Sequence, residues 1–405
     1  MKHAFPGWTM VGLLVAIDSL SCCTTAQETP SITREILSQN RDGSSITWFH
    51  PKACVVPASD SMAETLFMTM QGIDGSDTFG PVHSWSSVDQ GSTWSQPEPI
   101  HAFNRREVPN HPGLMAGVCD VVPEYHPPTD TVLAIGQVVF YRGPRFATKD
   151  QLARYPIYAV RSRDGSWSKR QVLHWDDPRG SFIYSNNCGQ RVVLENGDIL
   201  LAFSFGSTSD HRSVATLRCR FNGETLSIAQ VGTPLELKAG RGLLEPSLTR
   251  FGDRFYLTLR AEDGRGYLAV SQDGLHWNRK ETWKWEDGQP LDLSSTQQHW
   301  LTHGEELFLV YTRKAMENQN VIRWRAPLWM ARVNLEQHRL IRSSEQVVFP
   351  MIGDGVSQPD EVALMGNFHI TPVSKNESWV TVGEWLPRKD ARGNLLLARL
   401  RWPAK

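Results

Sequence analysis

Ser87-Val88-Asp89-Gln90-Gly91-Ser92-Thr93-Trp94 is the stretch on which the reading of this chain turns. Its spacing describes a closed turn: the Asp carboxylate accepts from backbone N–H groups, the Gly permits a positive φ, and the Trp packs between strands. The carboxylate is therefore read as structural and not as a catalyst. Ser271-Gln272-Asp273-Gly274-Leu275-His276-Trp277 repeats the pattern one residue shorter, and Ser162-Arg163-Asp164-Gly165-Ser166-Trp167 repeats it in a more degenerate form. Each of the three follows the third strand-like segment of a group.

Working outward, six such groups can be read, their first strands at 47–57, 117–125, 187–194, 245–251, 296–302 and 367–373. In each, an apolar strand, a polar turn, a second strand, another turn and a third strand follow in order. No long segment with a 3.6-residue period interrupts them. Glu195-Asn196-Gly197-Asp198 joins two strands through an Asn-Gly pair, a strong hairpin signal, and Phe251-Gly252-Asp253 and His303-Gly304-Glu305 take the same place in their groups. Strand triplets at a period of roughly fifty to seventy residues predict an all-β, six-bladed β-propeller of four-stranded antiparallel blades. Three first strands echo one another: Cys54-Val55-Val56-Pro57, Asp120-Val121-Val122-Pro123 and Arg191-Val192-Val193-Leu194. In that register Asp120 and Arg191 would both face the central channel.

The 405 residues are 40% hydrophobic and 21% charged, enough for a real core, and the formal net charge is −1. A near-neutral chain without like-charge runs lacks the basic field that nucleic acid or a membrane surface would require. Lys2, His3 and the apolar run 8–20, broken by Asp18, read as an export segment too short to span a bilayer. Thr24-Thr25-Ala26 before Gln27 offers one cleavage site; Ser19-Leu20-Ser21-Cys22 loosely resembles a bacterial lipobox, which makes Cys22 the candidate lipid anchor and the single expected link to a membrane. The expected organisation is 1–26 export signal, 27–45 lead-in and 46–405 propeller, in a protein of the periplasm, cell surface or medium. Cys54, Cys119, Cys188 and Cys219 match no zinc or CxxC spacing. No metal or cofactor is expected: there is no HExxH, phosphate loop, dinucleotide fingerprint or GxSxG elbow.

The turn motif S-x-D-x-G-x-x-W at blade spacing resembles the Asp-box (BNR repeat) of the sialidase superfamily. A second resemblance lies nearer function. Glu245-Pro246-Ser247 starts a strand, a Gly-Asp turn follows, and the next strand ends in Leu257-Thr258-Leu259-Arg260. Sialidases carry a Glu, a strand, a turn and a strand ending in Arg at nearly this separation. There the Glu assists a nucleophilic Tyr and the Arg grips the substrate carboxylate, so the resemblance implies those roles for Glu245 and Arg260. Asp77, ten residues before the full Asp-box, stands roughly where the family has its acidic proton donor. At the first blade the chain departs: Trp48-Phe49-His50-Pro51-Lys52 stands where sialidases have Arg-Ile-Pro. The three-arginine clamp is incomplete as aligned, which points to a relative of the sialidases rather than a sialidase.

Other candidates come from the residues themselves. Tyr311 and Arg313, two apart on the strand 307–313, share a face and could set a phenol beside a guanidinium. Arg323 and Arg325 likewise face one way. His50 suits proton transfer near neutral pH. Asp120 lies on a presumed channel-lining strand, and His299, after Gln297 and Gln298, falls near the channel mouth. The candidate set is therefore Glu245, Tyr311, Asp120, Asp77 and His50 for chemistry, with Arg260, Arg313, Arg191, His299 and Arg325 for substrate. The expected activity is hydrolysis of a glycosidic bond at a carboxylated sugar in an oligo- or polysaccharide. Two alternatives stay open: a uronate lyase with His50 or Tyr311 as base, and a non-catalytic glycan-binding propeller.

Overall fold

The computed structural model describes Met1 and residues 29–403 apart from 61, 76, 186–188 and 389–391. The export segment, Cys22 and Cys188 lie outside the described residues. The fold is an all-β, six-bladed propeller of mostly four-stranded antiparallel sheets, with only short 3-10 turns besides among the described residues. Blade one runs outward from Trp48–Val56 through Thr65–Ile73 and Phe79–Ser87 to Glu98–Pro99. Blade four has the same plan: Leu244–Phe251, Arg254–Arg260, Gly266–Ser271 and Lys280–Thr282. In blade three, Ile183–Ser185 and Val192–Val193 both pair with Ile199–Gly206, so the inner edge is two short strands instead of one continuous run.

Ser31–Ser38, from the expected lead-in, is the outer strand of blade six, paired with Leu395–Arg401. The ring is thus closed by strands far apart in sequence. Arg399 ties the closure by donating to Glu35 at 2.6 Å, and it also donates to the Gln90 carbonyl at 2.9 Å. Thr371 and Thr381 of blade six donate to the carbonyls of Ala53 and Pro51 in blade one.

The core is a set of wedges between blades. The middle strand of blade two, Thr131–Arg142, shows why its sequence is apolar on both faces. Leu133 and Ile135 pack toward blade three, while Val132, Ala134, Val138 and Phe140 pack toward blade one. A strand covered on both sides has no solvent face and so loses the alternation of polar and apolar residues. Each fully buried Leu or Phe there contributes about 1.5–3 kcal/mol.

The Asp-box turns sit between third and fourth strands. Asp89 accepts from Thr93 N at 2.9 Å and Thr93 Oγ1 at 2.7 Å, and Ser87 Oγ donates to it at 2.8 Å. The Thr93 hydroxyl and amide bonds hold its pKa down at about 2. Gly91, at φ +76°, has the Trp379 ring of blade six where a Cβ would stand, so no other residue fits without a shift. Trp94 packs at a tilt between Trp85 and Trp379, and Trp277 of the second box donates to Thr216 of blade three at 3.1 Å. The motif staples neighbouring blades. Cys54, Cys119 and Cys219 are free, buried thiols.

Candidate functional site

Where the blades converge, a cavity of about 430 Å³ draws lining residues from all six. Three of its polar groups share one backbone device. The inner strands of blades one, two and four each slip register, at Phe49/Lys52, Cys119/Val122 and Leu244/Ser247. At each slip a non-glycine residue takes a left-handed conformation: His50 (φ 54°), Asp120 (φ 55°) and Glu245 (φ 42°). Such a bulge re-aims one side chain out of the strand's alternation. The conformation costs of order 1–3 kcal/mol per residue and persists only where the surroundings enforce it. Here three bulges aim an imidazole and two carboxylates into one cavity.

Asp120 is the most heavily held of the three. Lys52 Nζ lies 3.3 Å and His50 Nε2 3.1 Å from its Oδ1, and Gln137 Nε2 donates to Oδ2 at 3.1 Å. Burial pushes the His50 pKa down to about 4, against the opposing pull of Asp120, so the ring is neutral at neutral pH. Glu245 accepts from Arg260 Nη1 at 2.5 Å, and Ser295 Oγ accepts from the same guanidinium at 3.1 and 3.2 Å. Asp77 stands exposed on the loop at the cavity mouth, also left-handed at φ 58°.

Six arginines line the cavity against three carboxylates. Arg260 pairs with Glu245, and Arg241 pairs with Glu262 just behind the wall, at 3.0 Å. Arg154, Arg212, Arg323 and Arg325 have no carboxylate oxygen within 4.0 Å among the described residues. The Nε of Arg325 is buried without a hydrogen-bond partner. Burial, then Arg323 and Arg260, lower its pKa to about 10. Gly366 lets it lie there: a Cβ on that residue would come 2.5 Å from the Arg325 Nε.

Of the candidates read from sequence, the structure brings together His50, Asp77, Asp120, Glu245, Arg260 and Arg325. It places the other four elsewhere. Tyr311 and Arg313 do share a face, but that face turns into the wedge between blades four and five. There both donate to Glu345, Tyr311 at 2.6 Å and Arg313 at 2.8 and 2.6 Å, and the phenol is wholly buried. Burial and the Glu345 carboxylate push the Tyr311 pKa well up. Arg191 does not face the way Asp120 faces. It is paired with Glu124 at 2.8 Å and capped by the Val122 and Leu133 carbonyls, beside a separate cavity of about 310 Å³. The echo of Val-Val pairs set the register four residues off, because the bulges align His50, and not Cys54, with Asp120. His299 is wholly buried against Phe368, 2.9 Å from Ser247 Oγ, outside the cavity lining.

Sequence reasoning missed Arg154, Arg212, Arg241, Gln137 and Lys52 as parts of the site. None sits in a motif. The one available signal was the shared pattern Phe49-His50-Pro51 and Leu244-Glu245-Pro246, an apolar residue, a polar one and a proline at the blade-one and blade-four bulges. Among the described residues no tyrosine lines the cavity, and Asn367 stands at its blade-six side. A larger surface groove of about 560 Å³ lies at the outer turn of blade four around Asp273 and takes in no inner-strand residue.

No family model matches the chain, and no curated protein is similar to it in sequence. Solved structures do match. A Hadza microbial sialidase superposes with a TM-score of 0.62 at 12% identity, covering 91% of this chain and 68% of that one. The Trypanosoma rangeli sialidase gives 0.60 at 14% identity, covering 91% and 59%. A protein of unknown function from Dyadobacter fermentans gives 0.60 at 15% identity, covering 92% and 99%. This chain therefore has the propeller fold of the sialidases and spans about three-fifths of the length of the trypanosomal enzyme.

Proposed function

We propose that the protein is an exported glycoside hydrolase that cleaves a glycosidic bond at a carboxylated sugar. The observation that carries the reading is one cavity in which cationic forks without acid partners face carboxylates held on left-handed bulges. A planar guanidinium binds a carboxylate through two parallel N–H···O bonds. Arg260, oriented by Glu245 and Ser295, together with Arg323 and Arg325, would take the sugar carboxylate in this way. Asp77, exposed at the mouth, would protonate the leaving oxygen. Asp120, its charge fixed by Lys52, His50 and Gln137, would take the proton of an attacking water.

Water is the fitting nucleophile because no tyrosine lines the cavity among the described residues. The elimination route loses Tyr311, which lies in the blade-four–five wedge, and His50 is a weak base at a pKa near 4. The test is incubation of the mature protein with a panel of acidic oligosaccharides, with products read by mass and near-ultraviolet absorbance. Hydrolysis adds water and leaves no unsaturated sugar. Asp77→Asn should lower turnover by about 10²–10⁴-fold with an unchanged denaturation curve. Unsaturated product would move the protein to the lyases. Tight glycan binding with no product in any arm would make it a binding propeller.

A further inference from the structure

We infer that the cavity contains a second oxyanion subsite, built from Arg154 and Arg212, so that the ligand it accepts carries two anionic groups. The inference deepens the reading of an acidic-sugar site and rests on it for the nature of the ligand. One carboxylate needs at most two or three guanidinium forks, yet six arginines reach this cavity. After the Glu245 and Glu262 pairs are set aside, the remaining four fall into two couples on different blades. Arg323 and Arg325 belong to blade five and lie beside Arg260. Arg154 belongs to blade two and Arg212 to blade three, on the other side of the Glu245–Arg260 pair.

Both members of the second couple are held by their backbones. Arg154 forms an isolated parallel bridge to Ile183 of the next blade, and Arg212 forms another to Gly242 at the entry to blade four. The Arg154 amide donates to Phe182 O, and Leu243 N donates to Arg212 O at 2.9 Å. Their side chains meet a single neutral acceptor each: Arg154 Nη2 donates to Gln151 Oε1 at 2.8 Å, and Arg212 Nε to Ser209 O at 2.9 Å. A guanidinium has five N–H donors, so most of each fork is left for a ligand. Burial, followed by Arg241 and Arg154, lowers the Arg212 pKa to about 10, with Glu245 opposing the shift only in part. An oxyanion seated there would relieve that repulsion. It could come as a carboxylate on a neighbouring sugar or as a sulfate ester on the same one.

Isothermal titration of the full chain with inorganic sulfate at low ionic strength tests this without depending on turnover. The wild-type protein should bind two equivalents. The double variant Arg154→Gln/Arg212→Gln should keep one and weaken the other at least tenfold, and Arg323→Gln/Arg325→Gln should keep the complementary one. Arg154→Lys/Arg212→Lys, which preserves charge without the fork, guards against misfolding and should weaken the same equivalent by less. A single equivalent in the wild type, or loss of the same equivalent in both Gln doubles, would overturn the second subsite. Competition then identifies the source. Galacturonate should displace one sulfate; digalacturonate displacing both assigns a neighbouring carboxylate, and a sulfated monouronate displacing both assigns an ester. If neither displaces more than one, the doubly anionic ligand is refuted. Two sulfate equivalents in a protein that hydrolyses no acidic glycan would remove the hydrolase reading alone.

Discussion

Arg191 and Arg325 are the same residue type near the same propeller axis, and they live in opposite circumstances. Arg191 is buried with every part of its fork answered, by Glu124 and by two carbonyls. Arg325 has a buried Nε with no acceptor and two arginines as neighbours. The first arrangement pins blade two to blade three and leaves nothing for a ligand. In the second, burial, Arg323 and Arg260 oppose the charge and Glu245 and Asp77 offset them only in part, so an incoming anion would be favoured. What marks a site in this molecule is therefore the missing partner, since the cation itself occurs in both places.

The sharpest way to break the comparison is to truncate both. Arg191→Ala strands Glu124 and two carbonyls and should cost about 3 kcal/mol of stability by urea denaturation. Arg325→Ala should leave stability unchanged or slightly raised while acidic-ligand binding collapses. Equal losses at the two positions would make the cavity arginines ordinary scaffold.

Acid should act on the same centre with a comparable total. The pKa values of His50 and His299 are depressed by burial to about 4 and about 3. The unfolded chain, with an ordinary value near 6.5, binds protons before the folded one does. Their contribution is full above about pH 6.5 and is lost as pH falls toward 4, roughly 3 kcal/mol for His50 alone. His50→Gln should flatten that limb of a stability–pH curve; an unchanged slope would mean that the ring is not held neutral. The smallest effect belongs to the outer turns. Asp89→Ala should lower Tm by a few degrees and leave turnover per folded molecule intact, because the turn lies far from the cavity. A loss of turnover in well-folded Asp89→Ala would contradict the division between staple and site.

How much of this was legible follows from distance along the chain. The Asp-box is eight residues whose partners are one another, so Asp89 and Gly91 could be read directly, and the blade count came with them. Glu245 and Arg260 are joined by one hairpin and were found the same way. Arg154, Arg212 and Arg241 reach the cavity from loops without a motif, and nothing local distinguishes them from surface arginines. The bulges hid the rest. The bulges at His50 and Asp120 are the equivalent points of their strands, but the Val-Val echo set Cys54 against Asp120, four residues off, and put Arg191 beside Asp120. Tyr311 misled for a related reason: period two gives the shared face but not which wedge that face enters.

The clasp of Ser31–Ser38 onto Leu395–Arg401 sets an order of events in time. Glu35 and Arg399, its ion pair, are 364 residues apart. A ribosome delivers the first of them 364 residues ahead of the second, so the strand that locks the ring is made first and must wait, unpaired, for its mate. Five blades can form as the chain lengthens, but the sixth has three of its strands from one end and one from the other. Contacts this remote in sequence are slow to form, because loop closure precedes any gain from them. Until Leu395–Arg401 arrives, the molecule is an open arc with an exposed sheet edge, and the cavity, which needs all six blades, does not yet exist.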